Sequence, residues 1–431
     1  METNLPENVE WSFIKKFLFL FLFIFFTLYI FLNPNNIVPY SSKLYHFYTE
    51  PCNRFIAWLT IDILHVAAHG TPHIIGTNDT TFGYLTLLFI TSVALIGSVI
   101  WLAIGRKTGN YNKLYYALIT TIRYFLAIMW VTYGSLKITR LQFPLLGPDM
   151  LLQTYGNSTP HTLSWAFMGY SSGYNYFIGI TECAIGLLLF FGRTSLFGNL
   201  IAIGALANVM AFNYFFDVNV KLLVTVLMSM TLFLLSKDLV RLINFLLFNK
   251  VTPPVDFPSY RFKGAWKNKL LLGFKYVFIL FLVVADLYSG FTKVKQRANL
   301  AKKTPLYGIY NVDSFVLNKD TIRPVSDTLR WKKLVVSSPQ KASVIFMNDS
   351  IKHYVFIPDT IKKIITMYTE MDTINKFTFS YNHPKADRLI MHGKWQNDSL
   401  EIKFQQYDLK KFPLLNHPFR WIIGPDAKAK K

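Results

Sequence analysis

Arg123 and Glu182 stand inside stretches that are otherwise apolar enough to enter a bilayer. A charge at the centre of a spanning helix costs about 2.5 to 3.5 kcal/mol on insertion scales, so such residues turn to a bundle interior and find partners there. Counted at 1.5 Å per residue from the ends of their apolar runs, Arg123 lies about 13 Å from one edge and Glu182 about 12 Å from the other. In a core about 30 Å thick they differ in depth by about 5 Å. The expectation is an Arg123 to Glu182 ion pair, with Asn208 near the same level. Such a pair serves either as a lock between helices or as a proton or substrate site.

A second polar group gathers towards the opposite edge: Tyr133, Lys137, Gln142, Asn213, Asp217 and Lys221. Fourteen residues separate Arg123 from Lys137, nearly four turns at 3.6 residues each, so both project from one face of a single helix. Gly134 and Ser135 beside Tyr133 allow a neighbouring backbone to approach closely. Lys137 and Lys221 also fit ordinary interfacial lysines, and Asp217 fits a turn between spans. The segment Gln142 to Tyr174, with Trp165 and Tyr170, reads as a lid on the bundle mouth, since irregular backbone at membrane depth must be covered by protein. His65, His69 and His73 follow Asp62 at helical spacing, a weak pattern for zinc, copper or haem. Gly70 and Pro72 interrupt that helix, which favours an amphipathic surface helix without metal. There is no HExxH, CxxC, CxxCH or phosphate-cradling Gly-rich loop.

Seven apolar stretches must position these residues: Phe17 to Leu32, Phe82 to Ile104, Leu114 to Leu136, Tyr174 to Phe191, Leu196 to Phe216, Val218 to Ser236 and Leu270 to Gly290. Each approaches the roughly 20 residues of a transmembrane helix. The first carries no small-residue cleavage site and reads as an uncleaved anchor. One set of flanks holds 13 Lys and Arg against five in the other, which predicts a cytoplasmic N-terminus and an external tail. The organisation expected is an anchor at 1–33, an external loop with an amphipathic helix at 34–81, a second span and cytoplasmic loop at 82–113 and a four-helix bundle at 114–240. A cytoplasmic linker with the seventh span at 241–291 and an external β-domain at 292–431 complete it.

In the tail, Phe377, Phe379 and Tyr381 alternate with polar residues, as do Leu400, Ile402 and Phe404. That is the period of a half-buried sheet. Further runs at 334–336, 344–346, 353–357, 364–367 and 389–391 fit about eight short antiparallel strands, a lipocalin-like barrel or a sandwich. The tail carries 25 Lys+Arg against 12 Asp+Glu, more than half of the chain's net charge of +21. Its partner is read as solvent and anionic head groups rather than nucleic acid. With 52% hydrophobic and 16% charged residues the 431-residue chain is excluded from the disordered and the ordinary soluble classes. Two cysteines, Cys52 and Cys183, exclude a disulfide scaffold.

Arg123, then Tyr133-Gly134-Ser135-Leu136-Lys137, Phe167-Met168-Gly169-Tyr170-Ser171 and Gly179-Ile180-Thr181-Glu182, resemble the DoxX-like family of bacterial membrane proteins in the longer form found in Bacteroidetes. Asp79-Thr80-Thr81 and the tail from Gly393 to Ile422 are similar to that form as well. The resemblance implies a four-helix bundle with Arg123, Lys137 and Glu182 at the family's polar positions. It also implies association with quinone or thiol oxidoreduction, although fold alone does not fix function. The leading expectation is an integral cytoplasmic-membrane protein, its β-domain periplasmic, whose outward pocket binds a small molecule such as a quinone within an oxidoreductase-type assembly. A membrane scaffold recruiting an external partner through the β-domain and a small-solute transporter are the alternatives. Whether the chain is itself an enzyme stays open.

Overall fold

A computed structural model describes residues 10–35, 37–65, 79–105, 109–252, 264–318, 320–321, 330–395, 398–416 and 421. They form two compact units, one of residues 1–143 with 171–291 and one of residues 144–170 with 292–431.

The first unit is helical: α1 (Phe13–Leu32), α2 (Ser42–Trp58), α3 (Thr81–Ile104), α4 (Asn112–Ile138), α7 (Ser172–Phe190), α8 (Ser195–Phe215), α9 (Lys221–Ser236), α10 (Leu239–Leu246) and α11 (Ala265–Lys303), whose last residues belong to the second unit. In chain order α5 (Pro148–Leu152) and α6 (Pro160–Tyr170) intervene, in the second unit. Six helices are long and apolar enough to cross a membrane, and α9 with α10, bent by 72° at their junction, makes a seventh candidate. The chain is a multi-pass membrane protein. A helix suits that solvent because its backbone groups pair within the segment, and side chains close the exposed first turns. Ser12, Thr80 and Ser171 accept bonds from the amides of Lys15, Gly83 and Tyr174.

Contacts along the helices fix their relative directions. Phe19 of α1 packs on Tyr111 and Tyr115 where α4 begins, and Thr132 Oγ1, farther along α4, lies 3.1 Å from the Ile37 carbonyl just past α1. On α11, Lys275 lies by Tyr124, Asp286 by Thr132 and Gly290 by Thr139. So α1, α4 and α11 run in parallel. Helix α3 returns along α1, with Trp101 on Phe23, and α7 returns along α4. The starts of α3 and α9 are clamped together by Asp79, whose oxygens accept from the Lys221 and Leu222 amides at 2.9 and 2.8 Å. The start of α1 and the crossing part of α11 at Gly290 therefore lie at opposite ends of this unit.

The second unit carries the barrel. Strands β1 (Gly308–Leu317), β3 (Trp331–Ser338), β4 (Gln340–Phe346), β5 (Ile351–Asp359), β6 (Ile364–Thr369), β7 (Asp372–Lys385), β8 (Arg388–Trp395) and β9 (Asp398–Tyr407) pair antiparallel in order, and β1 closes on β9. The two-residue β2 (Asp320–Thr321) pairs antiparallel with the end of β1. Every strand run expected from alternation is present. The first strand carries Asn311 and Asp313 among its apolar residues and is not evident from pattern. Gln396-Asn397-Asp398, whose residue types suit a hairpin turn, falls between β8 and β9, where Trp395 pairs with Asp398; Gln396 and Asn397 lie outside the described residues. Eight strands leave an interior just wide enough for side chains, and here Trp331, Phe356, Phe379, Phe404 and their neighbours fill it. Helix α5 packs on β3.

Candidate functional site

Helices α4 and α7 approach so closely that little fits between them. A Cβ on Gly134 would stand 2.6 Å from the Gly179 carbonyl and 2.7 Å from Cys183 Sγ, and one on Gly179 would stand 2.7 Å from the Gly134 carbonyl. These contacts, with Gly186 against Ala127 and Tyr124 against Phe190, set the antiparallel register. They bring the last turn of α4 over the middle of α7, and Lys137 Nζ donates to Glu182 Oε2 at 2.8 Å. Both side chains are buried, at 8% and 3% exposure. An ion pair so placed needs good geometry to offset the loss of water from two charges.

The Arg123 to Glu182 pair expected from depth is not formed. Phe190, packed on Tyr124, is eight residues beyond Glu182, so Arg123 sits about 12 Å farther along α7. Counting depth from the ends of apolar runs assumed that the runs start level. In the fold the first turns of α4 extend past the turn that joins α7 to α8. Arg123 instead stacks over the ring of its neighbour Tyr124.

Around the Lys137–Glu182 pair stand groups of mixed chemistry. The Tyr133 ring is 5.8 Å from Lys137 Nζ, and Cys183 Sγ is 3.7 Å from the Val131 carbonyl. Ser135 is buried, and Thr132 Oγ1 lies 2.8 Å from Asp286 Oδ2. Asp286 was missed because a single aspartate in the seventh apolar run has no partner at helical spacing. Its signal is that very isolation, since an acid in a span is costly. Asn175 is also buried, its amide nitrogen donating to the Ser171 carbonyl at 2.9 Å.

The other expected residues fall elsewhere. Asn213 is buried on α8, whereas Asn208 is exposed and does not join the interior. The buried face of α8 runs through Ala202 and Leu206, and two residues on from Leu206 is about 200° away around the helix. Gln142 follows α4 with its Oε1 buried and unbonded. Asp217 takes a left-handed φ of 53° at the turn before α9 and binds Lys221 Nζ at 2.8 Å, while Asp79 stands 3.5 Å from that Nζ. These three are a turn clamp, separate from the Lys137 pair.

Trp165 and Tyr170 lie on α6 in the unit that holds the barrel, Trp165 stacked on His161 at 4.1 Å. The helix expected to carry the histidines ends too early. α2 passes through a wide turn at 59–63, and His65 follows with φ of 50°. His69 and His73 are outside the described residues. Among the described residues no group of three or more His, Cys, Asp or Glu is arranged for a metal.

Over 118 residues the chain is 36% identical to the uncharacterized protein YwoB of Bacillus subtilis (strain 168), a match that spans 27% of this chain and 75% of that protein. The chain belongs to the YwoB family. The YwoB match is shorter than the helical unit. No family model matches the chain, and no solved structure matches it.

Proposed function

We propose that this protein of the bacterial cytoplasmic membrane, its N-terminus cytoplasmic and its β-domain periplasmic, binds a small carbonyl-bearing molecule such as a quinone in the outward half of its helix bundle. It does so as part of an oxidoreductase-type assembly. The observation that carries this reading is the buried Lys137–Glu182 pair with Tyr133 beside it. A buried ammonium and a phenol are hydrogen-bond donors suited to a quinone oxygen, and Glu182 supplies the counter-charge at 2.8 Å. The DoxX-like motifs around Lys137 and Glu182 point the same way. The excess of Lys and Arg in one set of flanks supports the orientation, and the opposite placement of the two ends of the helical unit agrees with it.

A second reading, a membrane scaffold with an external partner at the β-domain, is favoured by the tight α4–α7 packing, which makes the ion pair a helix lock. Extraction and mass spectrometry of the purified protein separate the two. Quinone is expected with the parent and lost in Lys137→Met at equal folding, and unchanged content supports the scaffold. A reporter fused after Lys431 is expected to be active outside the cytoplasm, and activity only inside would reverse the topology.

A further inference from the structure

Level with the end of α7, where Phe190 packs on Tyr124 about halfway along α4, two cations meet on one aromatic ring. Arg123 Cζ is 5.5 Å and Lys275 Nζ 5.8 Å from the Tyr124 ring centroid, and Lys275 Nζ also lies 4.3 Å over the Phe191 ring just past α7. The two charges are near enough to repel each other. Arg123 Nε is buried with no acceptor. Among the described residues neither cation has a carboxylate at ion-pair distance, whereas Lys137 has Glu182, Lys221 has Asp79, and Lys237 and Arg241 share Asp238.

Aromatic rings attract a cation but carry no net charge, so this pair still lacks a counter-ion in a medium where that is expensive. Both side chains are half-buried, which leaves them accessible from the side of the unit. Leu271, Leu272 and Phe274 on the adjoining turns of α11 are exposed, an apolar bed beside the two charges. A guanidinium fork and a point-charge ammonium match a phosphate, and basic pockets between spans are where anionic headgroups bind. We propose that Arg123 and Lys275 hold the phosphate of an anionic phospholipid whose acyl chains lie along α11.

The full-length protein, delipidated in detergent, is to be titrated with phosphatidylglycerol, phosphatidylcholine or inorganic phosphate, with native mass spectrometry and melting temperature as readouts. Phosphatidylglycerol is expected to bind and raise the melting temperature, and phosphatidylcholine to do neither. Arg123→Gln and Lys275→Gln should each weaken phosphatidylglycerol binding about fivefold. Lys269→Gln, an exposed lysine on the same helix, should leave it unchanged. Equal binding by parent and Lys275→Gln overturns the proposal, as does equal protection by phosphatidylcholine. Protection by inorganic phosphate at the same concentration would assign the site to a soluble anion and overturn the lipid. Should the Gln variants not fold, Lys275→Arg is expected to keep phosphatidylglycerol protection, and its loss overturns the proposal.

Discussion

Replacing Glu182 by Gln leaves the volume of the side chain nearly intact and strands the charge of Lys137 inside the bundle. At 2.8 Å and an effective dielectric of about 20 the attraction removed is about 6 kcal/mol. Because the ammonium retains a hydrogen bond to the new amide, the net cost falls to the 3 to 5 kcal/mol or so expected when one partner of a buried pair is deleted. Lys137→Met should cost a similar amount by stranding the carboxylate. The double variant Lys137→Met with Glu182→Leu removes both charges together and should return to within about 1 to 2 kcal/mol of the parent, because a well-packed apolar pair often matches the ion pair it replaces. Adding Arg123→Gln to Glu182→Gln should recover nothing, since the two residues are far apart and their effects add. The assay is reversible unfolding in detergent or lipid discs, followed by near-ultraviolet dichroism. If Glu182→Gln melts like the parent, or if Arg123→Gln rescues it, the Lys137 pairing is wrong.

Gly179→Val drives side-chain atoms into the Gly134 carbonyl and Ile138, and unfolding measurements should find a loss of about 1 to 3 kcal/mol or more. Asp79→Ala frees the amides of Lys221 and Leu222, with an expected cost of about 1 kcal/mol and faster hydrogen exchange at the start of α9. In the barrel, Trp331→Ala empties a site with no solvent exposure and should cost about 3 to 5 kcal/mol by denaturant titration. Asp359 accepts the backbone amides of Lys362 and Ile361, and Asp372 accepts the side-chain and then the backbone amide of Asn375, which hold their carboxyls below the usual range. A depressed folded value gives stability that is full above the unfolded value and lost as pH falls through the folded one. Carboxyl chemical shifts should therefore titrate below ordinary aspartate, and Asp359→Asn should flatten the acid limb of barrel stability.

The barrel was legible because alternation along Phe377, Phe379 and Tyr381 reports one buried face directly, residue by residue. The spans were legible because lipid imposes length and composition on each helix separately. The partners of Arg123 and Glu182 were not, since they depend on how far α4 slides along α7, and that offset is set by Gly134 and Gly179 meeting through their backbones. Glycines in apolar runs announce close approach without naming what approaches. For the same reason the exposure of Asn208 was hidden: an asparagine's depth follows from counting, but the face it occupies on α8 follows from which neighbours α8 has. Asp286 escaped because its hydrogen bond runs to Thr132, more than 150 residues earlier.

The Asp79 clamp bears on the order in which the chain assembles. Its carboxylate sits at the head of the second crossing, yet the amides it holds belong to Lys221 and Leu222, 142 and 143 residues farther on. At a synthesis rate of about 5 to 20 residues per second those amides appear some 7 to 30 seconds after Asp79 has been made. During that interval the carboxylate must remain in water or at the head groups, and α3 has only its own Thr80 cap to define where it begins. Closure of the clamp therefore reports that α4, α7 and α8 have already been laid down between its two halves, which makes it a late event in membrane insertion and a natural checkpoint for a completed bundle.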